Sequence, residues 1–237
     1  MGGLLFIPKI KTMKKVQNLS LLFALAMMLF ACGGGTSETT ESTDTASEET
    51  ASEETMTEGP SGEYTLSGEE SQLMWEGNML KIGGVSLYGH AGTLAFQKGK
   101  MSMENGQITE GMFVVDMTTI TPTDEAYDEE NTPDKLVGHL SSPDFFAIEE
   151  FPTATFQIKG MEGNSIMGDM TIRGVTHAET IENVEVTVDG DIVMAKGSMT
   201  VDRQKYNVAW ENPAEDKVLS DDLDLEFNIV AAKGDMM

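Results

Sequence analysis

Few side chains in this sequence are equipped for bond-making chemistry. They are His90, His139 and His177, the lone thiol of Cys32, and an acidic run through Asp124, Glu125, Asp128, Glu129, Glu130 and Asp134. A histidine within reach of a carboxylate makes a general acid–base pair, and His139 with an acid from the 124–134 run is the pairing that offers one. His90 and His177 have no partner at metal-ligand spacing, and a single cysteine allows neither a thiolate zinc cluster nor an internal disulfide. The acidic run lacks the D-x-D-x-D-G order of an EF-hand, so it reads as a solvated loop. No G-x-S-x-G elbow, H-E-x-x-H helix or phosphate-cradling glycine loop occurs. The chain therefore reads as a binder and not an enzyme, with no metal and no cofactor.

The totals narrow what can be bound. Over 237 residues, 40 acidic and 15 basic side chains leave a formal net charge of -25. Such a surface repels phosphate backbones, which argues against nucleic acid as a partner. It also opposes electrostatic docking on anionic lipid headgroups, so attachment to a membrane must be apolar or covalent.

The elements that position these groups begin only after an atypical N-terminus. Lys14 and Lys15 precede a run over 19–31 that is apolar except for Ser20. The run is shorter than the roughly 20 residues needed to span a bilayer, and with its basic flank it predicts a secretory signal over 1–31 with Met13 as its natural start. Leu29-Phe30-Ala31-Cys32 resembles the lipobox of bacterial lipoproteins. That resemblance implies cleavage before Cys32 and a diacylglycerol on its sulfur. The expected location is the cell envelope, on an outer membrane facing the periplasm or the cell surface. Residues 32–61 follow as an acidic Thr/Ser/Glu/Ala/Gly stretch that predicts a disordered tether.

From 62 to 233 the pattern changes to period two, the mark of strands with one buried face. Leu223, Leu225, Phe227 and Ile229 alternate with acids and Asn228, and Val184, Val186 and Val188 with Glu185 and Thr187. Leu73 and Trp75, Leu94 and Phe96, Phe156 and Ile158, and Met170 and Ile172 repeat the pattern. Asn105-Gly106 and Asp189-Gly190 predict two-residue hairpin turns with both residues at positive φ, and Gly163-Asn164 offers a third. These signals predict an all-β, antiparallel barrel or sandwich. One short helix, Asp134 to Ser141, presents Leu136, Val137 and Leu140 on one side and covers a barrel end.

Three blocks then resemble the YceI-like, or lipid/polyisoprenoid-binding, family. They are Leu136-Val137-Gly138-His139-Leu140-Ser141-Ser142-Pro143-Asp144-Phe145-Phe146 running on to Phe151-Pro152-Thr153-Ala154-Thr155-Phe156, then Gly168-Asp169-Met170-Thr171-Ile172-Arg173-Gly174-Val175-Thr176, then Thr200-Val201-Asp202-Arg203-Gln204-Lys205-Tyr206. The resemblance implies an antiparallel, lipocalin-like β-barrel of about eight strands and, as partner, a long isoprenoid or other apolar lipid such as a polyprenyl lipid or isoprenoid quinone. On that basis Trp75, Phe96, Phe113, His139, Leu140, Phe145, Phe146, Phe156, Ile158, Met170, Ile172, Met199 and Val201 are expected to line the cavity or its mouth. Phe151 belongs to the same aromatic cluster, which either lines the mouth or plugs the end. The domain is also rich in methionine, which adapts to guests of imprecise shape. Arg173 and Arg203 are expected to pair with acids at a barrel end. Two copies can pair as a homodimer. The competing reading is an interaction lipoprotein whose barrel is packed solid.

Overall fold

The computed structural model describes residues 59–213 and 216–234. The predicted signal, Cys32 and all but the last residues of the acidic tether lie outside that range. Among the described residues nine strands form: β1 (Gly62–Leu66), β2 (Gln72–Lys81), β3 (Ser86–Glu104), β4 (Gln107–Pro122), β5 (Thr153–Glu162), β6 (Ser165–Ile172), β7 (Val175–Asp189), β8 (Ile192–Asp202) and β9 (Lys217–Lys233). A helix, α1 (Pro133–Ser141), joins β4 to β5, and a short 3-10 turn covers Arg203–Tyr206. Strands β2 to β9 are antiparallel neighbours in chain order, and β9 returns to pair with β2, closing an eight-strand barrel.

The ninth strand does not widen the ring. β1 lies between β3 and β9, the same slot that β2 fills further along, so the two are one wall strand with a break. Ser71 repairs the break: its hydroxyl accepts from Val230 N at 2.9 Å and donates to Val230 O at 3.2 Å. Residues facing inward form two apolar clusters. One, around Trp75, Leu94, Met117, Phe145 and Met170, lies toward α1; the other, around Tyr64, Met101, Met103, Ile158 and Ile229, lies at the far end.

Turn chemistry decides the ends. Asn105 and Gly106 both take positive φ, 51° and 82°, as a right-twisted two-residue hairpin requires. Asp189-Gly190 behaves otherwise. Asp189 is still a strand residue paired with Ile192, and the turn is Gly190-Asp191 with only Gly190 at positive φ. A glycine at the first turn position suffices for that geometry. The β6–β7 turn, Arg173-Gly174, has both residues at positive φ, 49° and 72°. An arginine there is uncommon. Its guanidinium donates to the carbonyls of Phe145 and Pro143, at 2.8 and 2.6 Å, and to that of Asn207. Arg173 therefore meets backbone carbonyls and not the expected acid, because the 142–151 segment and the 207 loop converge on it.

Thr132 caps α1 by accepting from Lys135 N, and Pro133 opens the first turn, where its missing N–H costs nothing. Strand directions place α1, the 203–208 turn, the β2–β3 hairpin and the 123–132 loop at one end. The other end carries the 105–106, 163–164 and 190–191 turns together with the entry of the chain, where Pro60 O accepts from Gly106 N.

Candidate functional site

Between the two apolar clusters the barrel is hollow. The cavity measures about 530 Å³, within the usual range of about 300–1,000 Å³ for ligand pockets. Every strand from β2 to β9 contributes to its wall.

A bore walled by large aromatics stays open because of where the rings lie. Three of them sit directly across from a glycine on the neighbouring strand: Trp75 from Gly92, Phe113 from Gly99, and Phe227 from Gly197. A Cβ added at these glycines would stand 2.4–2.6 Å from the facing ring. Phe156 covers Gly168 on β6 in the same way. With no side chain beneath them, the rings lie along the wall instead of projecting into the bore, a pairing that also covers the exposed glycine backbone. Gly99→Ala is expected to displace Phe113 inward and cost about 1–3 kcal/mol, as overpacking does. Urea unfolding reads that loss, and a variant as stable as the parent would show the ring to be free to move.

Twelve of the thirteen expected residues border this cavity: Trp75, Phe96, Phe113, His139, Leu140, Phe145, Phe146, Phe156, Ile158, Met170, Ile172 and Met199. Val201 does not. It is 1 % exposed and clusters with Tyr206 and Val208, the equally buried residues of the 203–208 turn. Its parity is correct, but the turn seals it off. Phe151 also lies outside the cavity wall, packed on Gly174 of the β6–β7 turn. Of the methionines, Met79, Met101, Met117, Met170 and Met199 line the bore, whereas Met112 and Met194 face solvent.

At the α1 end three rings form a rim. His139 meets Phe145 at 4.7 Å and Trp210 at 4.9 Å between ring centroids, both edge to face, and Phe145 lies 5.4 Å from Trp210. His139 thus sits among aromatic rings, and two acids of the 124–134 run offered as its partner, Asp124 and Asp128, are used elsewhere. Asp124 lies 3.2 Å from Nδ1 of His90 and accepts from Ala91 N, Ala126 N and the Tyr127 hydroxyl. His90 in turn stacks on Tyr127, 5.1 Å away. The acidic run is therefore not uniformly solvated: Asp124 folds inward because it satisfies four donors, while Asp128 caps its own loop through Asn131 and Glu130.

Burial alone would raise the Asp124 carboxyl, but the N–H groups of Ala126 and Ala91, with Tyr127 and His90, hold it below its usual value of 3.8. Burial, with the same contact to Asp124, pushes the Tyr127 phenol up to about 12. A carboxyl lowered in the folded state adds stability above the ordinary carboxylate range and loses it as pH falls through the lowered value. Asp124→Asn is accordingly expected to cost about 1 kcal/mol at pH 7 and progressively less on acidification. Parallel thermal melts across pH 3–7 test this, and a gap that widens in acid would contradict it.

Arg203 is 7 % exposed and holds the mouth together. It donates to the carbonyls of Ser220, Val208, Trp210 and Leu219, and to Asp221 at 3.0 Å. Burial pushes its guanidinium down, offset by Asp221, Asp202 and Glu211. Behind it, the buried Tyr206 hydroxyl donates to Glu179, and burial with that carboxylate raises the phenol. The indole N–H of Trp75, in the wall, is buried with no acceptor among the described residues.

Several wall residues carry no signal in the sequence. Trp210, Asn131, Asn212 and Pro213 come from loops, and Tyr88 and His90 from the open end of β3, where no alternation of apolar residues points inward. Among the described residues no group of His, Cys, Asp or Glu is arranged to hold a metal ion, and no helix is long and apolar enough to cross a membrane.

Residues 64–231 match the YceI-like domain family. UPF0312 proteins of Staphylococcus aureus and Staphylococcus epidermidis are each 36% identical, over 86 and 88 residues; each match takes in 32% of this chain and 48% of the relative. The chain thus spans about half the length of these curated relatives. Among solved structures, Burkholderia cenocepacia BcnA superposes with a TM-score of 0.53 at 18% identity, covering 70% of this chain and 99% of that one. A polyisoprenoid binding domain from Saccharophagus degradans gives a TM-score of 0.49 at 13% identity, covering 72% and 98%.

Proposed function

The chain belongs to the YceI-like family, and from that premise we propose that it is a carrier holding one long apolar lipid, of the isoprenoid or isoprenoid-quinone type, inside its barrel. The observation that carries the reading is the hollow bore of about 530 Å³ with apolar walls from all eight barrel strands. A barrel serving only as a rigid interaction module has no use for that space, and closing it would gain stability. Among the described residues His139 is ringed by aromatics, and the hydroxyl bonded to the His90–Asp124 pair is the Tyr127 phenol, on which burial and Asp124 hold the proton. Binding without turnover is the chemistry this favours.

Burying on the order of 500 Å² of cargo gains roughly 12 kcal/mol at about 25 cal/mol per Å². Association costs of about 4–15 kcal/mol come off that, leaving an affinity suited to carrying and release. In this proposal the lipidated Cys32 anchors the carrier to a membrane of the cell envelope and the acidic 33–61 stretch tethers the barrel to it.

Native mass spectrometry of the full chain purified from membranes is the test. A co-purifying hydrophobic mass that organic extraction removes is expected, and a chain that is always empty, and takes up no geranylgeraniol when offered it, would overturn the carrier reading. For the anchor, Cys32→Ser is expected to move the protein from the membrane to the soluble fraction; unchanged partitioning would refute lipidation.

A further inference from the structure

Eight large apolar side chains remain well exposed among the described residues, and five of them gather at one place: Ile82, Val85, Leu87 and Tyr88 on the β2–β3 hairpin and Val218 at the start of β9. Ile82 and Val85 are 70% and 63% exposed, and flank Gly83-Gly84, whose added Cβ atoms would meet nothing within 4 Å. Aliphatic side chains held out into water at a hairpin tip are costly for a soluble surface unless something apolar receives them.

Two further facts say what receives them. The hairpin stands at the open end of the bore: Met79 and Tyr88, next to the tip in the same strands, line the cavity, as does Leu219 beside Val218. And in a chain of net charge -25 this patch carries two adjacent cations, Lys81 and Lys217, which are register partners across β2 and β9. Lys217 Nζ lies 5.8 Å above the Tyr88 ring. Asp216 is the described acid beside them. Aliphatic tip, ring and lysines in that order match the interface of a bilayer, where apolar groups enter the acyl region and lysines reach back to the phosphates.

We propose that the β2–β3 hairpin tip is a membrane-docking element that seats the mouth of the barrel on a lipid surface. The cargo then passes between acyl chains and bore without crossing water. This rests on the carrier reading for its purpose but not for its measurement. The described chain enters at the opposite barrel end, where Pro60 O accepts from Gly106 N.

The experiment uses the full chain with Cys32→Ser, so that no lipid anchor contributes, and phosphatidylcholine vesicles, whose surface does not repel an acidic protein. Flotation is expected to show association that falls at least about tenfold in I82S/V85S. Uptake of detergent-dispersed geranylgeraniol should be unchanged in that variant, because neither residue lines the bore, whereas transfer from vesicles should slow about tenfold. A parent that binds geranylgeraniol but does not float, or a variant that floats as well as the parent, would overturn the docking proposal. Vesicle association that responds to the substitutions, with no geranylgeraniol uptake, would support docking and sink the carrier reading instead. Circular dichroism of the variant checks that the barrel is intact; should it fail to fold, I82T/V85T repeats the measurement with β-branched side chains.

Discussion

Ala154→Trp combined with Met199→Trp is expected to weaken binding of a geranylgeraniol probe about a hundredfold while leaving the barrel folded. Both residues border the cavity and are only half-buried, since the space beside them is void and not packed protein. Two indoles would displace cargo from roughly 110 Å² of wall, and at about 25 cal/mol per Å² that is about 2.7 kcal/mol, or a factor of about a hundred. The same addition in a solid core would force side chains off their rotamers and cost about 1–3 kcal/mol. Here it fills a void, and its own burial offsets that strain. Titration by tryptophan fluorescence, together with urea unfolding, separates the outcomes. Undiminished affinity would place the cargo elsewhere, and a fall in stability beyond about 3 kcal/mol would mean that the interior is not as empty as its geometry.

Arg203 carries the second large effect, this time on stability. Its guanidinium serves four carbonyls and one carboxylate from two separate segments, 208–210 and 219–221. Asp221 is exposed and can turn to water, but Val208 is 1 % exposed and its carbonyl meets the arginine in a buried contact. Removing the donor leaves buried carbonyls without partners at about 1–3 kcal/mol each, a loss of about 3–5 kcal/mol in all. Arg203→Met should show it in full. Arg203→Lys should recover little, since a single ammonium cannot span the fork of directions that the planar guanidinium meets. Urea unfolding with an unchanged slope reads the difference. A penalty under about 1 kcal/mol in Arg203→Met would mean that water replaces the guanidinium, and that the mouth is wetter than its burial indicates.

Much of this structure is legible along the chain, and particular residues show where legibility stops. Alternation over Leu223, Leu225, Phe227 and Ile229 sets which side of β9 faces inward, because side chains on a strand alternate by geometry alone. The same parity reasoning holds for Trp75, Phe96, Phe113, Phe156, Ile158, Met170, Ile172 and Met199 at the cavity wall, whereas His139, Leu140, Phe145 and Phe146 lie outside the strands and were expected there from the family blocks. It fails for Val201, because parity gives a face and not a depth, and a turn arriving from 203–208 closes over that position. It could not find Trp210, whose loop has no period. It also left Asp124 in water, since its partners His90 and Ala91 lie more than thirty residues upstream.

The sequence by itself determined an antiparallel barrel, its inward-facing side chains and its family. Those follow from local periodicity, turn residues and short blocks that can be read one strand at a time. Only the tertiary structure decided that the barrel is hollow. Whether Trp75, Phe113 and Phe227 fill the bore or lie along its wall depends on the glycines opposite them, and the register that sets Gly92, Gly99 and Gly197 there is a relation between strands.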